Sequence, residues 1–215
     1  MWRAVAIGVV WGWAVMASGM ATELHRAAEA GDVAAVTRLL EAGAAVDAVD
    51  GQNRTPLLLA VAADRGAVAS VLLAAGASPN VQADNRDTPW LLAGASGRTG
   101  MLAAMIPAGP DFSMRNRYGG NALIPACERG HVETVALLLT TKIDVDHVNN
   151  LGWTCLLEVV ILGDGGARHQ EVARLVLAAG ADPNIADKDG VTALAHAIAR
   201  GQREVARVIR EAGGK

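Results

Sequence analysis

Residues able to do chemistry are few in this chain, and they are scattered. The histidines are His25, His131, His147, His169 and His196, none in a His-x-x-x-His pair. With no Cys-x-x-Cys either, metal-ligand spacing is missing. Cys127 and Cys155 are the two cysteines, too few for a disulfide framework and without a nucleophile's flanking motif. No serine stands in Gly-x-Ser-x-Gly. Gly94, Gly97 and Gly100 lack the Lys-Ser/Thr of a phosphate loop and follow a helical stretch, so they read as a turn. No catalytic residue, cofactor or metal is expected. What remains is a carboxylate and an imidazole at equivalent places, Glu158 and His196, and four aromatics after the N-terminal segment: Trp90, Phe112, Tyr118 and Trp153.

The elements that must position these residues recur. Thr22, Thr55, Thr88, Asn121 and Thr154 stand 33 residues apart, and a sixth copy begins at Thr192 after a step of 38. Gly43, Gly76, Gly109 and Gly213 each follow their own copy's Thr by 21 residues, and Gly180 does so after five extra residues. A fixed period of this size marks a stacked array whose units bury their apolar faces only against their neighbours. Within copy two, Thr55-Pro56 is a helix start, because Thr caps and Pro tolerates the first turn. Leu57, Ala60 and Val61 keep helical spacing. A break at Asp64-Arg65-Gly66 precedes a second helix, which Gly76 ends.

Thr55 to Ala60, Thr88 to Ala93, Gly76 to Asn80, Gly180 to Asn184, Gly130 to Glu133 and Asp187 to Thr192 together resemble the ankyrin repeat family. The resemblance implies an all-α solenoid of about six helix-turn-helix repeats with short β-hairpin tips. Those repeats fall near 22–50, 51–83, 84–116, 117–149, 150–187 and 188–215. It also implies a concave face of tips and first helices that binds another protein, with no catalytic residues to carry over.

Individuality lies in the departures. Tyr118 and Trp153 sit at the tips, where an aromatic has little to pack on, and exposed Trp and Tyr often anchor partners. With Arg115, Arg117 and Asn150 beside them, they form the candidate partner-binding site. The competing account has the two aromatics packing on neighbouring tips. Trp90 takes a buried Leu place, and Phe112 is placed to cover the junction with copy four. Four residues after the repeat Thr stand Arg26, Leu59, Leu92, Pro125, Glu158 and His196. Glu158 and His196 either pair across neighbouring copies or both reach water. Asp164 to Arg168 is inserted in copy five, before a second helix starting at His169, as a binding loop or as drift. Gly100 and Pro107 in the second helix of copy three, Pro125, and Lys142 in place of a terminating Gly predict a soft middle. Cys155 lies one residue after its repeat Thr and Cys127 six after its Asn. On helices set level, that offset is about 7.5 Å along the axis. Bonded cysteines need Cα atoms within about 7 Å, so free thiols are expected.

Net charge is −3 and 19% of residues are charged, so nothing favours nucleic acid. The N-terminus reads as an export signal, residues 1–21. Arg3 gives the positive start, Ala4 to Met16 the apolar run, and cleavage falls after Gly19 or Ala21. The expected product is a monomeric, exported protein, periplasmic in a Gram-negative cell and off the membrane once cleaved. An uncleaved anchor is the alternative, because the run stays apolar to Ala21.

Overall fold

Four of the repeat threonines, Thr55, Thr88, Thr154 and Thr192, start their helices by the same local device, whereas Thr22 lies inside a helix that already runs from residue 19. The computed structural model describes residues 19–215, so most of the expected export segment lies outside the described residues. Among the described residues the chain is helical, in pairs: α1 (19–30) with α2 (Val33–Glu41), α3 (Pro56–Ala62) with α4 (Gly66–Ala74), and α5 (Pro89–Ala95) with α6 (Thr99–Met105). Three further pairs follow: α7 (Leu123–Glu128) with α8 (Val132–Leu139), α9 (Cys155–Ile161) with α10 (Ala167–Ala178), and α11 (Ala193–Ala199) with α12 (Arg203–Glu211). The Thr55 hydroxyl accepts the Leu58 N–H at 3.1 Å, and Thr88, Thr154 and Thr192 repeat that bond to Leu91, Leu157 and Ala195. Asn121 replaces Thr without losing the cap. Its Oδ1 accepts from Leu123 and Ile124, while its Nδ2 donates to the Asp144 carbonyl at 2.9 Å.

First helices stack on first helices and second on second, from α3 through α11 and from α2 through α12. One apolar core therefore runs the length of the array, from Leu24 to Ile209. A tight polar turn joins each copy to the next. In copy two, Asp50 N–H bonds the Arg54 carbonyl and Asn53 N–H bonds the Asp50 carbonyl; the other four tips repeat this pattern. The tips form no β-ladder; one antiparallel bridge, Ala186 to Thr192, is present among the described residues.

The expectation of free thiols is overturned. Cys127 and Cys155 are disulfide-bonded, with Cα atoms 5.5 Å apart. The residue six after one copy's Thr meets the residue one after the next copy's Thr. One junction earlier the same pair is Gly94 and Ala122, where a Cβ on Gly94 would lie 2.8 Å from the Ala122 Cβ. Only a hydrogen fits there. Val61 and Val160, at the same place in copies two and five, are fully buried. Ile198, with no following copy against it, is 57% exposed. The local contact between the facing sides of two neighbouring first helices brings the cysteines within bonding distance despite their different places in the repeat.

Copy three is less defective than its composition suggests. Gly100 falls in the first turn of α6, and Pro107 lies in a separate 3-10 turn, Ile106–Ala108, so neither breaks a helix interior. In copy four the Thr141 hydroxyl bonds the Leu138 carbonyl where a terminating Gly is missing. α6 and α7 are nonetheless short, at 7 and 6 residues. Amides of residues 97–125 should exchange with solvent faster than those of α3, α4, α9 and α10. Equal protection across the array would show that neighbour packing dominates.

Candidate partner-binding groove

The tips of copies four and five are held by one side chain each. Asn116 Oδ1 accepts the N–H groups of Tyr118 and Gly120, and Asn149 Oδ1 accepts those of Leu151 and Trp153. The two tips are also joined to each other, with Asn150 N–H donating to the Tyr118 carbonyl at 2.9 Å. The Lys188 ammonium continues the chain to the Asn150 carbonyl.

Beneath these tips lies a groove of about 290 Å³, lined among others by Tyr118, Ile124, Glu128, Leu151, Glu158 and Leu162. Tyr118, Leu151 and Leu162 are 54%, 49% and 51% exposed on it. Glu158 also lines it and is 4% exposed. Its Oε1 accepts from Asn149 Nδ2 at 2.8 Å, whereas Oε2 is buried without a partner. Burial pushes the Glu158 carboxyl up from 4.5 to about 7, the Glu128 charge adds to the push, and the Asn149 bond opposes it.

The expected site residues are only partly brought together. Tyr118 stands on the rim with Arg117 over its ring, 4.8 Å from the centroid. Trp153 is half-buried and packs against the core. The Arg115 guanidinium is taken by the carbonyls of Phe112 and Met114, and Asn150 lies against Gly119. None of these three lines the groove. Trp90 is buried as expected, and Phe112 meets it edge-on, 5.6 Å between ring centres, while also lining a surface pocket with Thr140, Thr141 and Lys142 of copy four.

Glu158 and His196 neither pair with each other nor both reach water. Each reaches back nine residues to the residue that opens its own tip, Glu158 to Asn149 and His196 to Asp187 at 2.7 Å. The bond from His196 holds the Asp187 carboxyl below the usual carboxylate range. The insert is braced as well. Asp164 Oδ1 faces His169 Nδ1, and His169 Nε2 donates to the Glu128 carbonyl at 2.9 Å. α10 starts at Ala167, two residues before the expected His169.

Leu151 and Leu162 went unnoticed in the sequence, although a position-by-position reading holds their signal. Tyr118 and Leu151 occupy the tip place that Gln52, Asn85 and Asp189 fill elsewhere. Leu162 stands where other copies have Ala30, Ala63, Ser96, Arg129 and Arg200. Among the described residues no group of three or more His, Cys, Asp or Glu side chains is placed to hold a metal ion.

The sequence profile described as "Ankyrin repeats (3 copies)" matches residues 90–187, and one described as "Ankyrin repeats (many copies)" matches residues 24–73. An ankyrin repeat domain from Acinetobacter baumannii AYE is 46% identical, with a TM-score of 0.87 over 89% of this chain and 98% of that one. The ankyrin repeat protein YahD of Escherichia coli is 45% identical over 105 residues, 48% of this chain. The match spans about half of that relative, 52% of its length. The cyclin-dependent kinase 4 inhibitor B of Bos taurus is 36% identical over 99 residues, 45% of this chain and 71% of the relative.

Proposed function

Since the chain belongs to the ankyrin repeat family, whose units are protein–protein interaction modules, we propose that it is a non-catalytic protein that holds another protein in the groove beneath the tips of its fourth and fifth copies. One observation carries this reading: three large apolar side chains, at places that are small or polar in other copies, converge exposed on one groove. Apolar groups so displayed gain by being covered. The favoured role is to stabilise or inhibit an exported partner, and the similarity to a kinase inhibitor supports the inhibitory form. The Cys127–Cys155 bond supports an oxidising compartment such as the periplasm.

The test is affinity capture of a partner followed by titration of variants. Tyr118→Ala should weaken binding by about 2 kcal/mol while leaving the melting temperature unchanged. A lower melting temperature with undiminished affinity would make Tyr118 a structural support of the tips. Trp153→Ala should do the reverse, because that ring packs on the core.

Processing is separately checkable. The His25 Nδ1 bonds the Ala21 carbonyl and Met20 packs on the core, which favours cleavage after Gly19 over Ala21. N-terminal sequencing of the exported protein should read Met20 first. An intact Met1 in a membrane fraction would favour the alternative, a tethered spacer.

A further inference from the structure

We propose that the groove is a receptor for a single lysine side chain of a bound polypeptide, the ammonium donating to Glu158 Oε2 and the methylene stem lying between Tyr118, Leu151 and Leu162. The inference rests on the reading that this groove is the binding face, and it names what that face recognises.

Three features point to a cation. Glu158 Oε2 is buried and unpartnered, on a side chain that lines the cavity. A second carboxylate, Glu128, lines the same cavity, and its charge acts on Glu158. The nearby positive groups are already committed. Arg129 donates to the Ala95 carbonyl at 2.6 Å, and Arg117 lies over the Tyr118 ring and faces Asp87. On the helices packed against α9, His169 is turned to Asp164 and His196 to Asp187. An orphaned oxygen beside a second negative charge is relieved by an incoming positive donor. Lysine suits the geometry better than arginine. Asn149 already occupies Oε1, so a guanidinium fork would find one oxygen, whereas an ammonium needs only one. The apolar rim then covers the stem, as such side chains favour.

The probe is a displayed library of random heptapeptides, selected on the disulfide-intact protein. Selected sequences should share a lysine at one position. Replacing that lysine by norleucine in the synthetic peptide should weaken binding about 30-fold. Glu158→Gln should weaken the lysine peptide by a similar factor and leave the norleucine peptide unaffected, while Tyr118→Ala weakens both. From pH 8 to pH 6 the affinity of the lysine peptide should fall about tenfold, as a proton competes for Glu158. Retained melting temperature in both variants keeps the readings on binding. Peptides that lose affinity with Tyr118→Ala but carry arginine or no cation would overturn the lysine receptor and keep the binding face. Peptides indifferent to both substitutions, or no selected peptide, would overturn both.

Discussion

Reduction of the Cys127–Cys155 bond should lower the unfolding free energy by about 3.5 kcal/mol, the cost of releasing a loop closed over a separation of 28 residues. The effect arises in the unfolded chain, where the bond removes conformations. It should therefore appear as a lower denaturant midpoint without a change of native packing. The bond joins α7, the shortest α-helix among the described residues at 6 residues, to the copy that follows. Loss of protection on reduction should accordingly concentrate in copies four and five. A thiol titration of the unfolded, unreduced protein should read close to zero. Two titratable thiols would show that the bond does not form, and an unchanged midpoint under reductant would show that it adds nothing to stability.

Between pH 4.5 and pH 8 the protein should lose about 3 kcal/mol of stability through Glu158 alone. Its carboxyl titrates at about 7 in the folded protein and near 4.5 when exposed. The folded state therefore holds a proton that the unfolded state has already released, and stability falls with rising pH across that window. A displacement of about 2.5 units is about 3 kcal/mol at 1.36 kcal/mol per unit. Below pH 4.5 both states carry the proton and the slope vanishes. Glu158→Gln cannot ionise and its amide oxygen can keep the Asn149 bond, so its stability should be flat over the same range from this source. Denaturant unfolding of both proteins at several pH values decides it. Parallel curves would mean that Glu158 stays ionised in the folded protein.

Much of the fold was legible because its signals are local. A threonine that caps its own helix and a left-handed glycine that ends one act within a few residues, so the 33-residue step fixes them wherever it recurs. Asn121 could be placed for the same reason, although its second bond to Asp144, 23 residues on, could not. Which positions of neighbouring first helices touch has no trace in the period, since the repeat length is the same whichever positions meet. The cysteine pairing was misjudged for that reason. The groove was half visible. Tyr118 announced itself as an aromatic, while Leu151 and Leu162 are ordinary leucines whose meaning comes only from what the other copies carry there. Trp153 misled, because the tip turn that Asn149 holds directs its ring onto the core.

The covalent rung between the fourth and fifth copies also divides the array mechanically. Pulled from its ends, a stack of nearest-neighbour contacts peels one unit at a time, each releasing its length of chain. Here the chain between Cys127 and Cys155 cannot lengthen while the bond holds. Close to 95 Å of contour, taken at about 3.4 Å per residue, stays hidden from force. The array thus behaves as two extensible arms on a fixed-length clasp, and the candidate binding groove straddles that clasp.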